Sequence, residues 1–296
     1  MVSRWLRGAM AVEAVLVLIA TASLLRGRLT MSAALAACAA VLVCDLCLVA
    51  AIYAALRLYA TPSGAGAART WRCAFIETLA LFSAFVVIQP FERWWMGDER
   101  IGPLGAGRTP ILLVHGYLCN RGLWWWLRRR LRARGHLVAT INLEPPFAGI
   151  DRFAAQLGAR IEALLAETGA ETVMLVTHSM GALAARAYLR RHGAAHVTRL
   201  VTLAAPHHGT RCARLVLGRN AREMEPSSEW LRTLNAEPLA SIPVSTVWSR
   251  DDEIVDPPDA SRFANAREIV LNGIGHMAMV FSPTILGCVE AELGRN

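Results

Sequence analysis

"VTHSMGALAAR", residues Val176–Arg186, sets Ser179 between His178 and Met180 at the junction of two differently patterned segments. Upstream, "ETVMLV" (Glu171–Val176) is short and mostly apolar, the pattern of a strand buried on both faces of a parallel sheet. Downstream, "ALAARAYLRR" is rich in strong helix formers. A serine at a strand-to-helix junction with small neighbours fits the nucleophile elbow, G-x-S-x-G, whose sharp turn presents the hydroxyl. Here Thr177 takes the first glycine position and Gly181 the second. Serine is also a common helix N-cap, so the pentapeptide alone leaves both readings open. Its partners decide between them.

From Pro110 onward, strand and helix patterns alternate. "PILLVHG", "LVATINL", "ETVMLV", "VTRLVTLAAP", "PVSTVWS" and "REIVLNG" read as strands, with "LWWWLRRRLRARG", "IDRFAAQLGARIEALLAETG" and "ALAARAYLRR" as helices between the early ones. This predicts an α/β fold, a mostly parallel sheet covered on both faces, with chemistry at the carboxyl ends of the strands. Candidates stand at three such ends. "HGYLCN" after the first strand can offer the Tyr117 backbone N–H, and Met180 follows the serine, so the two N–H groups form a candidate oxyanion hole. "WSRDDEIVDP" offers Asp251, Asp252 and Asp256, and "NGIGHMAM" carries His276 on a glycine-flanked loop. Agreement among these placements favours the nucleophile over the cap.

The chain resembles the lipase branch of the α/β-hydrolase superfamily, the bacterial triacylglycerol lipase and esterase type, over residues 108–294. "LLVHGY" is similar to the oxyanion-loop motif, "HSMG" to the elbow, and "LAAPHHGT" to the segment after the next strand. "EPSSEWLRTLN" resembles a stretch near the lid of bacterial lipases, and "DDEIVDP" and "GIGHMAM" resemble the acid and histidine loops. The D-x-[IV]-V pattern selects Asp252 over Asp251. The resemblance implies the chain order Ser179, Asp252, His276 for nucleophile, orienting acid and base. It implies an acyl-enzyme on Ser179 and a serine carboxylic ester hydrolase acting on acyl esters or lipids, with no metal and no organic cofactor. Thr177 and Ala182 depart from the family's usual small residues, and both are compact enough for the turn. The same triad serves thioesterases and acyltransferases, and a catalytically dead interaction protein is the alternative from another class.

The 296 residues are 54% apolar with a formal charge of +8, and the apolar excess is concentrated in about the first ninety. Three runs there, Ala9–Leu25, Met31–Tyr59 and Ala74–Pro90, predict transmembrane helices, each carrying one acid: Glu13, Asp45 and Glu77. A signal peptide is the competing reading of the first run, but further apolar runs follow it. Arginines flank the runs evenly, so the side of the catalytic domain stays open. The expected organisation is a membrane anchor over residues 1–95, a linker at 96–109, and a hydrolase domain at 110–296 with a lid-like insertion about 211–242. The expected location is a bacterial inner membrane, crossed more than once.

The remaining residues have plainer readings. Seven cysteines without metal spacing point to packing. His207 and His208 lack a carboxylate at ligand spacing, and the resemblance makes them pocket wall. His178 reads as loop support; His136, His192 and His196 read as solvated. "LWWWLRRRLRAR" is an amphipathic helix, or a basic aromatic face toward anionic lipid. The bilayer is thus an expected partner; nucleic acid is not, because no recognition fold accompanies the charge.

Overall fold

The computed structural model describes residues 1–24, 31–61, 64, 66–97, 99, 101, 109–236, 239 and 242–295. Most of the linker expected at 96–109, and residues 237, 238, 240 and 241 of the expected insertion, lie outside the described residues.

Three long helices lead the chain: α1 (Val2–Leu24), α2 (Met31–Tyr59) and α3 (Ala67–Phe82). After α3 the helix continues through a π turn, Ser83–Ile88, and a 3-10 turn, Gln89–Phe91, into α4 (Glu92–Met96). Pro90 offers no N–H to the ladder, so the hydrogen-bond pattern must change register around it. All six expected strands form: β1 (Ile111–Val114), β2 (Val138–Thr140), β3 (Val173–His178), β4 (Val197–Leu203), β5 (Val244–Ser249) and β6 (Arg267–Leu271). They pair in parallel in the order β2-β1-β3-β4-β5-β6. The helices between and after them are α5 (Trp125–Ala133), α6 (Ile150–Thr168), α7 (Met180–His192), α8 (Arg219–Glu223), α9 (Glu229–Ala236) and α10 (Pro283–Leu293).

Strand alternation divides the core into two. Leu112 and Val114 of β1 pack with α6 and α7 on one face, while Ile111 and Leu113 point to the other face with α5 and α10. The second core also contains Tyr53 of α2, Ala80 and Leu81 of α3, and Ala84. The leading helices are therefore packed into the hydrolase body. Among the described residues, two helices are long and apolar enough to cross a membrane, Leu35–Tyr59 and Ala67–Met96. The first has 17% of its most apolar window buried and the second 44%, the difference that docking of α3 produces. Polar bonds fix the arrangement at several points. Arg7 donates to the Pro90 carbonyl at 2.8 Å, the Thr61 N–H to Asp256 at 2.8 Å, and the Met1 ammonium pairs with Glu144.

The insertion between β4 and β5 is ordered by its own contacts. A 3-10 helix, Arg211–Leu215, precedes α8 and α9. Helix α6 starts at Gly149, which has no side chain to cap it, and the buried Ile150 N–H is accepted instead by Glu223 of α8 at 2.6 Å. The same carboxylate takes Arg219 Nε at 2.8 Å, and its charge suits a helix N-terminus. Glu223→Ala strips a buried amide of its acceptor and should lower stability by about 1–3 kcal/mol. Urea unfolding followed by circular dichroism measures this; an unchanged midpoint would contradict the capping role.

Candidate active site

Strand β3 ends at His178, and the next residue turns sharply. Ser179 has φ 54° and ψ −129°, a backbone conformation that an L-residue reaches only when its surroundings impose it. Two glycines let the surroundings close in. A Cβ on Gly181 would stand 2.6 Å from the carbonyl oxygens of both His115 and Val114, and one on Gly116 would stand 2.8 Å from Ser179 Cβ. The Ser179 N–H is held by the Leu203 carbonyl at 2.9 Å. Thr177 satisfies its hydroxyl on the Val201 carbonyl at 3.4 Å, so threonine is tolerated in place of the usual glycine.

Met180 opens α7, and the N–H of a first helical residue has no partner within its helix. Tyr117 lies beside Gly116 in the neighbouring loop, its hydroxyl donating to the Leu217 carbonyl at 2.6 Å. Tyr117 and Ser179 line the same cavity, and Met180 follows the serine in the chain.

Past β5, Asp252 accepts the N–H groups of Ile254 and Val255, each at 2.9 Å, through Oδ1. His276 Nδ1 meets Asp252 Oδ2 at 2.9 Å and Oδ1 at 3.1 Å. Burial alone would lower the His276 pKa, but the Asp252 carboxylate, its hydrogen bond, and a further contribution from Glu77 raise it above the usual imidazole value of 6.5. The neighbouring acids are occupied elsewhere. Asp251 accepts the Gly273 N–H at 2.6 Å and faces Arg69 Nε at 3.5 Å, and Asp256 is bound by Arg211 and Thr61. Asp252 is the acid that reaches the histidine.

Ser179 and His276 open onto one cavity of about 510 Å³ with mostly apolar walls. One wall comes from the insertion, including Thr210, Cys212, Ala213 and Val216. The other comes from the leading helices: Leu6 and Met10 of α1, Leu48, Val49 and Ile52 of α2, and Leu81 and Phe85. Sequence reasoning missed this second wall, for apolar periodicity does not distinguish a helix facing lipid from one facing a pocket. Pro206 lines the cavity, whereas His207, expected there, is fully buried behind it with its ring at 3.2 Å from the Thr202 hydroxyl.

Two further histidines near the site, His115 and His178, are supports. His115 is pushed down to about 4 by burial, so it is neutral, and its Nε2 accepts the Leu143 N–H at 3.0 Å. His178, likewise held well below 6.5 by burial, donates Nε2–H to the His276 carbonyl at 3.1 Å, the loop-supporting role expected of it.

The serine hydrolase family matches residues 111–280, the stretch holding the sheet, the elbow, Asp252 and His276. The chain belongs to the serine hydrolase family. A triacylglycerol lipase of Pseudarthrobacter phenanthrenivorans is 31% identical to this serine hydrolase over 119 residues, 38% of this chain and 37% of the relative. One of Burkholderia plantarii is 31% identical over 119 residues, 38% of this chain and 33% of the relative. The chain thus spans about a third of the length of these curated relatives. The mature form of Bacillus licheniformis lipase BlEst2 has the same fold, with a TM-score of 0.58 at 18% identity over 67% of this chain and 96% of that one. Aspergillus fumigatus lipase B gives a TM-score of 0.53 at 18% identity, over 64% of this chain and 53% of the other. The α/β-hydrolase architecture expected from the sequence is the one observed.

A base must be neutral to accept a proton, and His276 loses its proton only above a raised pKa. Activity should therefore fall as pH drops through a value above 6.5. A kcat/KM profile whose acid limb lies well below 6.5 would contradict this placement of charge.

Proposed function

We propose that this serine hydrolase cleaves acyl esters of membrane lipids through an acyl-enzyme on Ser179. The observation that carries the reading is the pairing of His276 Nδ1 with both Asp252 oxygens, on a ring that shares a cavity with a serine held in a strained turn. With Nδ1 committed to Asp252, Nε2 is left as the proton acceptor. Ser179 Oγ attacks the ester carbonyl as His276 takes its proton, and Asp252 stabilises the imidazolium. The N–H groups of Tyr117 and Met180 hold the oxyanion, a role worth about 3 kcal/mol per donor. His276 then protonates the leaving alcohol, and water releases the acid.

The cavity supports this substrate class. Its apolar walls suit an acyl chain, and its volume of about 510 Å³ is that of a small-molecule site. The relatives named triacylglycerol lipase support a fatty acyl ester. We read residues 1–95 as a membrane-embedded segment that also walls the site, and residues 110–296 as the hydrolase. Outward-facing Val12, Leu16, Ile19, Leu35, Val43, Trp71, Phe75 and Trp94 are exposed, an apolar surface suited to lipid. The bilayer would thus supply both location and substrate.

The test is turnover of p-nitrophenyl acetate and octanoate, with the octanoyl thioester alongside, by full-length protein in detergent. Octanoate should be preferred and Ser179→Ala should abolish activity. Asp252→Asn should lower kcat by about four orders of magnitude. Asp251→Asn keeps an acceptor for the Gly273 N–H and should cost far less. Turnover by Ser179→Ala would sink the nucleophile assignment, and preference for the thioester would move the protein to the thioesterases.

A further inference from the structure

We propose that Glu77, on α3, is a positioning residue for His276, so that the leading helices set the geometry and charge of the catalytic base. The inference rests on the reading of His276 as that base.

Glu77 is fully buried, although it sits in a run that reads as a membrane span. Its Oε1 accepts the Met277 N–H at 2.6 Å and its Oε2 accepts the Ala278 N–H at 2.8 Å. These are the two residues that follow the histidine. On the other side of His276, a Cβ at Gly275 would run into the Glu77 carboxylate. The backbone from 275 to 278 is thus wrapped around one side chain from a helix about 200 residues earlier in the chain. The His178 ring adds a tie from the elbow, at the His276 carbonyl.

A carboxylate suits the two amides and an amide side chain does not. Gln offers one acceptor oxygen and turns an NH2 toward the second N–H, leaving a buried donor unpaired. The surrounding groups also determine the charge. Asp252 and His178 face the His276 ring, and Glu253, Tyr53 and Cys73 lie around Glu77, with the Arg69–Asp251 pair and Arg57 beyond. Burial, and then the neighbouring Glu77 and Asp252, push the buried Glu253 carboxyl well above the usual carboxylate range. Among these neighbours Asp252, and after it Glu77, are the groups that favour the imidazolium. Glu77 therefore acts twice, fixing the backbone on which the ring is hung and lowering the cost of protonating it.

The experiment compares the full-length protein with Glu77→Gln and Glu77→Asp in detergent micelles, using p-nitrophenyl octanoate over a range of pH. Circular dichroism checks folding. A misplaced base of this kind costs about a hundredfold in rate, so Glu77→Gln should lower kcat by ten- to a hundredfold with little change in KM. Its acid limb in kcat/KM should move to lower pH, because the charge that raised the histidine pKa is gone. Glu77→Asp keeps the charge and should keep the limb near its original pH even where kcat is reduced. An unchanged kcat in Glu77→Gln, or a fall in kcat with an unmoved limb, would overturn the assignment, the latter by marking a packing role alone. Should Glu77→Gln fail to fold, a limb displaced in Glu77→Asp would overturn it, and a limb retained at reduced kcat would support it. If the wild type has no acid limb, the reading of His276 as base falls and this inference with it; a wild-type limb that Glu77→Gln leaves in place rejects this inference alone.

Discussion

The backbone of Ser179 is the constraint on which the site depends. Holding a non-glycine residue at φ 54° costs about 1–3 kcal/mol, and the surrounding structure has to over-determine it. The sheet supplies that excess. β3 is the central strand between β1 and β4, its side chains reach both cores, and α7 follows immediately to lock the exit from the turn. Gly116 and Gly181 remove the side chains that would keep β1 at a distance. The result is a hydroxyl fixed at the carboxyl edge of the sheet, where the loops after β1, β5 and β6 converge.

Two of those loops are braced from outside the sheet. The loop after β5 is held by Asp252 folding back on its own backbone amides, with Asp251 reaching across to Gly273. The loop after β6 has few internal bonds and is gripped by His178 from the elbow and by Glu77 from α3. The same leading helices line the cavity and, through Thr61 and Asp256, tie to the insertion by way of Arg211. Site and helices are one packed unit. The helices present apolar side chains both outward and into the cavity, so their inner face and the hydrolase share one apolar lining.

Much of this was legible in the sequence. The six strands were readable because parallel strands buried on both faces are short apolar runs bounded by turn residues. Ser179 and His276 were readable because topology puts the ends of their strands together, whereas choosing Asp252 among three neighbouring acids needed the family resemblance. The departures arise where one pattern serves two environments. Ala74–Pro90 satisfies the apolarity of a membrane span, yet α3 is partly buried in the protein core, and nothing local specifies which neighbour covers it. Glu77 was visible as a lone acid in an apolar helix, a costly placement that demands a partner. Its partners are backbone amides, which leave no mark in a sequence. The lining of the cavity by α1 and α2 was hidden for a similar reason, since the apolar side chains that meet it resemble those that meet lipid.

In the proposed reaction Ser179 attacks an acyl ester whose chain lies between the hydrolase and its leading helices. The most direct measurement is a structure of the full-length protein inactivated with a long-chain alkyl fluorophosphonate. The expected result is phosphorus bonded to Ser179 Oγ, a phosphonyl oxygen facing the Tyr117 and Met180 amides, and the alkyl chain running along Leu48, Ile52 and Phe85. An adduct on another residue, or a chain directed away from α1 and α2 into solvent, would contradict it.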